Sequence, residues 1–245
     1  MSILVQREFR VDLPDREEFE RQSREGLWPA HLHFGSLMVA FGAWGFGGPG
    51  DVVVTHTCYA DFEHWYATRA GRGAFYQDQA MLQEIRELRP IYESRNQIVA
   101  SSSARIVELH DDVSRPRPIY RRPGGALPDP PATFGRGSVV SERTYALTEN
   151  GHAEFQRLSK ERIWPWLEQQ GGRLIGFGSD PLAPSNEVMT LFAFRSLAEW
   201  HRLSRPTAEL QPPQPVVAAW QQRHQIVQRQ WGRLLIVGTD FGTKV

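Results

Sequence analysis

The sequence predicts an α+β protein built from two tandem ferredoxin-like domains, each with the element order β-α-β-β-α-β. The main observation is an internal repeat: a shift of 136 positions carries residues 18–42 onto residues 154–178, and ten of these twenty-five positions are identical without a gap. The second observation is that strand-like and helix-like segments follow in the same order in both halves. A period of this length matches a small domain and is too long for a solenoid unit, so we interpret it as a duplicated domain.

The identical positions of the repeat include residue types that bend the backbone or fill a core. They are Glu18, Phe19, Arg21, Ser23, Glu25, Trp28, Pro29, Gly35, Phe41 and Gly42, each with a counterpart 136 positions later. We interpret the shared Trp-Pro and glycine positions as architectural. Residues that only one copy carries are therefore the better functional candidates.

The elements of the first copy follow from alternation, helix caps and turn residues. The segment from Ile3 to Val11 alternates, with Arg7 and Phe9 on one face and Gln6 and Glu8 on the other, which is the period of a strand. The remaining pattern predicts a helix from Pro14 to Gly35, strands over 37–44 and 51–59, a helix capped by Asp61, a helical segment over 74–94 that Pro90 kinks or splits, and a strand over 104–109.

The second copy repeats this order and ends with a recurring motif. The pattern predicts strands over 141–147, 173–179 and 188–194, a helix from Asn150 to 170 and a helix capped by Ser196. Near the end the shift falls to 128, which places Arg105 on Arg233. We therefore expect domains over 1–112 and 139–245, joined by an extended proline-rich linker over 113–138.

Composition excludes several classes of protein. The chain has 245 residues, 40% of them hydrophobic and 23% charged, and Lys plus Arg balance Asp plus Glu at 28 each. Without a basic stripe, nucleic acid is not an expected partner. No apolar run approaches the roughly 20 residues of a spanning helix, and Cys58 is a lone cysteine. We expect a soluble cytoplasmic protein that neither binds a membrane nor contains a disulfide.

One set of motifs resembles the NIPSNAP family. In the second copy the motifs are Ser141 to Leu147, Gly151 and Phe155, Trp164-Pro165, Gly171-Gly172-x-Leu174-x-Gly176, and Leu191-x-Ala193-Phe194-x-Ser196-Leu197-Ala198-Glu199-Trp200. The first copy matches only in part, through Arg7, Phe19, Trp28-Pro29, Gly35 and Asp61-x-x-x-Trp65. The resemblance implies a dimeric α/β barrel, in which two sheets pack together, formed here within one chain. The duplication then supplies the pairing for which single-domain relatives dimerise, although a homodimer stays open.

His56 and Arg7 are the predicted catalytic residues. At the shift of 136 positions, His56 replaces Phe192, so a titratable ring stands where the other copy has an aromatic. First and third strands are neighbours in a ferredoxin-like sheet, so His56 and Arg7 lie side by side if their faces agree. His56 would then be an acid or base near neutral pH, and Arg7, like its counterpart Arg143, an anion or carbonyl anchor. The alternatives are a satisfied core histidine and structural arginine ion pairs.

Other residues of the first copy are predicted to bind the substrate. Trp44 differs from its counterpart Asp180 and adjoins a glycine-rich turn, and Tyr59 and Phe41 belong to the same aromatic group. We expect these three to line an apolar pocket, with His33 and Arg143 as polar contacts. His31 and His33 form an H-x-H pair, but residues two apart on a helix point in different directions, so no metal site is expected.

These observations favour an enzyme that acts without a tightly bound cofactor on a small, largely apolar organic molecule. The chemistry would be proton transfer or oxygen insertion, as in an isomerase, a cyclase or a monooxygenase. One alternative is a non-catalytic ligand-binding or scaffold protein. The other is a haem protein with a histidine as the axial ligand. The chain shows no phosphate loop, nucleophile elbow, zinc motif or dinucleotide fingerprint.

Overall fold

The fold is described from a computed structural model of the chain. The structure describes residues 1–69, 72–129, 132–133, 135–204, 210–239 and 243–244. Pro130 and Pro131, which belong to the predicted linker, lie outside the described residues.

Eight antiparallel strands close into one barrel. They are β1 (Ile3–Arg10), β2 (Leu37–Phe46), β3 (Val52–Tyr59), β4 (Ser101–Leu109), β6 (Val139–Leu147), β7 (Arg173–Ser179), β8 (Glu187–Phe194) and β9 (Val227–Val237). The order around the barrel is β1-β3-β2-β9-β6-β8-β7-β4. Each half thus supplies a four-stranded sheet with its first strand between its third and fourth, as predicted for a ferredoxin-like domain. Two short strands, β5 (Ala132–Thr133) and β10 (Thr243–Lys244), pair separately in parallel.

Two seams join the halves by hydrogen-bonded strand pairing. In one seam β2 pairs with β9 and places Gly42 opposite Val237, and in the other β7 pairs with β4 and places Gly178 opposite Leu109. A Cβ atom at Gly42 would lie 1.9 Å from the carbonyl oxygen of Ile236, and one at Gly178 would lie 1.9 Å from that of Glu108. The shared Phe-Gly motif therefore provides the close backbone approach that closes the barrel.

Strand alternation divides the side chains between the barrel interior and the helix-covered exterior. Leu4 belongs to the interior cluster together with residues of both halves, such as Val140 and Leu235. Phe9 packs outward against the helices of the first half, and Tyr145 packs outward against those of the second half. The predicted faces of the first strand are confirmed.

Helices cover the outside of both sheets. The first half has α1 (Arg16–Gln22), α2 (Trp28–Phe34), α3 (Phe62–Ala67), α4 (Gln79–Glu84) and α5 (Arg89–Arg95), and the second has α6 (Gly151–Leu158), α7 (Trp164–Gln169), α8 (Leu197–Ser204) and α9 (Gln214–Ile226). A π-helical turn joins the first two helices of each half, over Ser23–Leu27 and Ser159–Ile163. Each turn comes directly before the Trp-Pro pair, whose proline donates no backbone hydrogen bond.

Most of the predicted caps and breaks are observed. The Asp61 carboxylate accepts from the backbone N–H of His64 at 2.7 Å, and the Ser196 hydroxyl accepts from that of Glu199 at 3.1 Å. Asn150 occupies the N-cap position with a φ of 64° but makes no side-chain cap bond. Pro90 lies at the start of α5, so the predicted segment over 74–94 is split into separate pieces.

Between the halves, residues 110–129 run against the protein without a helix or strand. The backbone N–H of Ile119 donates to the Gly35 carbonyl, and that of Arg115 donates to the Ile175 carbonyl. The Arg121 side chain is buried and pairs with Glu84 at 2.6 Å. Among the residues that the structure describes, no helix has both the length and the apolar character needed to cross a membrane.

Candidate functional site

A cavity of about 560 Å³ opens between the sheet and the helices of the second half. The sequence predicted a pocket lined mainly by residues of the first half, so the location differs. Its walls are apolar and consist of Trp164, Leu167, Phe192, Phe194, Leu203 and Trp220. An apolar space of this size with few polar groups is typical of a small-molecule site.

The polar groups of the cavity come from neighbouring strands and from α9. Arg143 and Tyr145 point outward from β6, Thr190 lies opposite Arg143 on β8, and Arg223 comes from α9. The exposed side chains Gln221, His224, Gln225 and Gln230 also line the cavity. Ser141 on β6 and Ser204 on α8 also line the cavity, so its polar groups include one phenol, three aliphatic hydroxyls and two guanidinium groups.

Tyr145 is a titratable group whose pKa this surrounding lowers. Its side chain is only 3% exposed. Burial on its own raises the pKa of a phenol, but the positive charges of Arg223 and Arg143 oppose it, and hydrogen bonding from Thr190 and Arg143 acts in the same direction. The net result is a Tyr145 pKa below the usual value of about 10. The phenolate is thus more accessible here than for a tyrosine in water.

Arg223 is held in place by neutral groups. Its guanidinium carbon lies 5.5 Å from the ring centre of Tyr145 and 5.0 Å from that of Phe155. Its Nη1 donates to the Ser159 hydroxyl at 3.2 Å, and Ser159 begins the π-helical turn of the second half. Burial lowers the pKa of Arg223 below its usual value, although the interaction with Tyr145 acts in the opposite direction. The turn therefore fixes the cation that favours the Tyr145 phenolate.

The first half repeats this arrangement without the phenol. The guanidinium carbon of Arg95 lies 4.5 Å from the ring centre of Phe9 and 3.9 Å from that of Phe19. Its Nε donates to the Ser23 hydroxyl at 2.7 Å. Phe9 occupies the position that corresponds to Tyr145 at the shift of 136. The difference between the two halves at this position is one hydroxyl group, and it faces the cavity.

The predicted pair of His56 and Arg7 does not form. His56 lies opposite Gln6 across β1 and β3, so Arg7, the next residue along β1, points to the other side of the sheet. The predicted counterpart is also wrong: Gln6 corresponds to Glu142, which lies opposite Leu191 and not Phe192. The chain from Gly42 to its β3 partner Val54 is one residue longer than the chain from Gly178 to its β8 partner Met189. A slip of one residue moves a side chain to the opposite face.

His56 belongs to a polar network inside the barrel. The Gln6 amide donates to its Nε2 at 2.8 Å and to Glu142 at 2.6 Å, while Arg233 donates to the Gln6 oxygen at 2.6 Å. Within the described part of the chain, His56 Nδ1 has no hydrogen-bond partner. Burial lowers the pKa of His56 to about 4, with Arg233 lowering it and Glu142 raising it. His56 is therefore neutral at pH 7 and lies away from the cavity.

Two arginines related by the duplication satisfy Glu142. Arg105 donates to its Oε1 at 3.0 Å, and Arg233 donates to the same oxygen at 2.8 Å. Burial on its own raises the pKa of Glu142, but Arg233 and the Gln6 hydrogen bond hold that pKa below its usual value. Arg105 also pairs with Asp180 at 2.9 Å. This network connects the halves through the barrel interior.

Trp44 belongs to the same interior network and does not line the cavity. Its indole N–H donates to Glu8 at 2.9 Å, and the guanidinium carbon of Arg233 lies 4.2 Å from its ring centre. Trp44 and Asp180 correspond in the repeat, and each contacts one of the paired arginines. The replacement of Trp44 by Asp180 between the copies therefore changes a contact in the polar network that connects the halves.

The other first-half residues predicted to bind the substrate, Phe41, Tyr59 and His33, are not among the residues that line the cavity. Phe41 packs between Phe19 and Trp28 with ring-centre distances of 6.2 Å and 5.2 Å. Tyr59 is buried, and burial raises its pKa. His33 lies 3.2 Å from the carboxylate of Glu84.

Arg143 is the predicted site residue that lines the cavity, whereas Tyr145 and Arg223 were not predicted. The aligned copies contained the signal for Tyr145, because a phenol replaces Phe9 on the outward face of the first strand. His31 bonds to Ser36 at 2.6 Å, apart from the His33–Glu84 contact. No cluster of three His, Cys, Asp or Glu side chains suited to a metal ion occurs among the described residues.

The comparisons with known proteins support the fold. The structure is similar over its full length to a "putative monooxygenase" from Lactobacillus acidophilus, with a TM-score of 0.59, 11% identity and coverage of 97% of this chain and 96% of that chain. It is also similar to a "putative monooxygenase" from Fusobacterium nucleatum, with a TM-score of 0.57, 10% identity and coverage of 99% of this chain and 98% of that chain. At these identities the similarity establishes the α+β barrel fold alone.

Similarity to a NIPSNAP family protein from Agrobacterium tumefaciens covers 43% of this chain and 96% of that chain, with 22% identity and a TM-score of 0.37. No protein-family model matches the sequence, and no curated protein matches it.

Proposed function

We propose that this protein is an enzyme that transfers a proton on a small, largely apolar organic molecule in the cavity of the second half. Tyr145 is the general base in this proposal, and Arg143 anchors an oxygen atom of the substrate. The reaction class is that of an isomerase, a cyclase or a monooxygenase whose first step is removal of an acidic proton. Similarity to proteins named as monooxygenases is compatible with this class and does not identify the reaction.

The observation that carries the proposal is the position of the Tyr145 phenol between two guanidinium groups in an apolar cavity. A base must be available in its deprotonated form near the operating pH, and the two cations bring the phenol closer to that condition. The first half keeps the arginine and serine but carries Phe9 instead. The hydroxyl group is therefore not needed for packing at this position.

The chemistry follows from this arrangement. The aromatic walls hold the apolar part of the substrate, and Arg143 binds an oxygen atom. The Tyr145 phenolate takes a proton from a C–H group next to a carbonyl or from an acidic hydroxyl. The anion that remains is stabilised by the positive potential of Arg143 and Arg223 in a site of low polarity. Return of the proton to another atom completes an isomerisation.

A binding protein without catalytic activity is the second candidate. The cavity itself supports it, because an apolar space with a polar floor binds ligands whether or not a reaction follows. The two candidates differ in what Tyr145 does. A binding protein requires only its shape, whereas the proposed enzyme requires its proton.

Replacing Tyr145 with phenylalanine tests the enzyme. We expect the purified protein to accelerate exchange of the α-protons of 2-tetralone or 1-indanone with D₂O, measured by proton NMR. Tyr145→Phe reproduces the first-half residue and should lower this rate by about 100-fold or more, the usual contribution of a general base. The wild-type rate should rise with pH with an apparent pKa below the tyrosine value of about 10.

Tyr59→Phe is the matched control, because it removes a buried tyrosine of the first half that lies outside this cavity. Its exchange rate should equal that of the wild type. Exchange no faster than in buffer, or an equal rate in Tyr145→Phe and the wild type, would rule out Tyr145 as the base.

A further inference from the structure

We infer that the cavity of the second half binds its ligand as an anion, an apolar carboxylate whose charged group pairs with Arg143. This inference deepens the proposed function, since it names the substrate class of the same site. It rests on the proposed function only for the choice of cavity and needs no reaction by Tyr145.

The charges around the cavity are all of one sign. Arg143 and Arg223 are the charged side chains in its lining, and no Asp or Glu occurs among its described lining residues. Two cations without an anion between them repel each other, and burial adds a desolvation cost for Arg223. A ligand with one negative charge removes both costs.

The arginines in the barrel interior show the contrast. Arg105 pairs with Glu142 and Asp180, and Arg233 pairs with Glu8 and Glu142. For Arg143 and Arg223, no carboxylate of the described residues lies within 4.0 Å of the guanidinium group.

Arg223 already has the Ser159 hydroxyl and two aromatic rings as neighbours. Arg143 stands across from Gly232, where the nearest atom to an added Cβ is a backbone oxygen and the Arg143 Cγ is 3.6 Å away. Arg143 hydrogen-bonds the Tyr145 phenol. A guanidinium group has five N–H donors, so Arg143 keeps donors for a ligand.

The walls indicate what the carboxylate is attached to. Trp164, Phe192, Phe194 and Trp220 present ring surfaces to a space of about 560 Å³, enough for a molecule with two or three fused rings. A guanidinium group matches the geometry of a carboxylate in two parallel hydrogen bonds. A phosphate would carry more charge into the same apolar walls. The shape and the charge together therefore favour an aromatic carboxylate.

The anion is compatible with the role of Tyr145. A carboxylate on Arg143 cancels part of the positive potential at the phenol. Arg223 remains over the Tyr145 ring, 5.5 Å from its centre, and its partners are neutral. Arg143 thus binds the ligand beside its hydrogen bond to the phenol, and Arg223 continues to favour the phenolate.

Matched pairs of charged and neutral ligands test the inference. The probes are 2-naphthoate with 2-naphthamide and anthracene-2-carboxylate with its amide, followed by quenching of tryptophan fluorescence at pH 7. We expect each carboxylate to bind about 10- to 100-fold more tightly than its amide, the range for a hydrogen-bonded ion pair. Arg143→Gln should remove this preference and leave amide binding unchanged.

Arg7→Gln is the matched control, because Arg7 holds the same strand position in the first half, and it should keep the preference. Equal binding of acids and amides, or no binding by either series below about 1 mM, would overturn the inference. Tyr145→Phe should still prefer the carboxylates. A wild-type protein that prefers the carboxylates but does not accelerate ketone exchange would refute only the proposed enzyme. A wild-type protein that accelerates exchange without this preference would refute only the anionic ligand.

Discussion

His56 and His31 are buried histidines whose neutral forms the fold favours. Burial lowers the pKa of His56 to about 4 and that of His31 to about 3, against a usual value of about 6.5. Between the folded and unfolded values the unfolded chain binds more protons than the folded chain. The stabilisation that a neutral histidine provides is therefore complete above pH 6.5 and is lost as the pH falls toward 4.

Replacing His56 by leucine, the residue at the corresponding position 191, tests this pH dependence. The wild-type free energy of unfolding should fall between pH 6.5 and pH 4, and His56 should account for about 3 kcal/mol of that decrease. His56→Leu should reduce the slope, as measured by urea unfolding at several pH values. The exposed His201→Gln controls for loss of a histidine. An unchanged slope in His56→Leu would show that His56 does not titrate in this way.

At the scale of single residues, the sequence predicted which side of the sheet a side chain lies on better than it predicted what that side chain does. Alternation correctly divided Gln6 from Arg7. Arg143, predicted as a polar contact of a first-half pocket, lines the cavity of the second half, and its role stays a prediction. The role of His56 depended on its counterpart, and the gapless shift missed one residue in the hairpin connection. The aligned copies show that Tyr145 stands where the first half has Phe9. Only the structure shows that the additional hydroxyl group belongs to a residue lining a cavity.

At the scale of elements, the π-helical turns explain the strongest part of the repeat. Ser23 and Ser159 begin these turns, and each bonds to the arginine of a later helix. The repeat was therefore recognisable from sequence, because both halves form the same π-helical turn with the same serine–arginine hydrogen bond. The position of the cavity was not recognisable from sequence, because it depends on how α8 and α9 pack over the second sheet. Side-chain volumes along one helix do not determine this packing.

Gly26 shows how closely the helices of the first half pack. A Cβ atom there would lie 2.8 Å from the Cβ of Ile91 and 2.9 Å from the backbone nitrogen of Tyr92. Gly26→Ala should therefore displace α5 and lower the free energy of unfolding by about 1–3 kcal/mol, despite the better helix propensity of alanine. Thermal and urea unfolding measure this loss.

Arg162→Ala is the matched control, because Arg162 is the exposed counterpart of Gly26 in the second half. It should change the stability by less than about 0.5 kcal/mol. A stabilised Gly26→Ala protein would mean that α5 accommodates the methyl group without cost.

At the scale of the whole molecule, the two seams make the halves one barrel. Each seam places a glycine against the backbone of the other half, so neither sheet keeps an exposed edge there. The sequence and its family resemblance predicted two sheets within one chain. The hydrogen-bonded closure was not predicted, because pairing between distant edge strands depends on the twist of both sheets and leaves no local pattern.

Gly178→Ala tests the closure. Its methyl group would lie 1.9 Å from the Glu108 carbonyl oxygen, so β7 and β4 must separate. We expect a loss of at least about 3 kcal/mol in the free energy of unfolding, and faster amide hydrogen exchange in both strands. Gly50→Ala is the control, because no atom lies within 4 Å of the added Cβ, and its stability should be unchanged. Equal exchange rates in both variants would contradict a role for Gly178 in closure.

Gln6 and Glu142 are counterparts in the repeat, and they touch each other at 2.6 Å. A residue that touches its own counterpart lies beside the axis that relates the halves. If the second half formed a dimer with itself, two carboxylates would meet at this point, each beside its own Arg233. If the first half did so, two amides would meet there beside two arginines. Only the mixed pair places an amide donor against a carboxylate acceptor, so the two products of a split gene would favour each other as partners over copies of themselves.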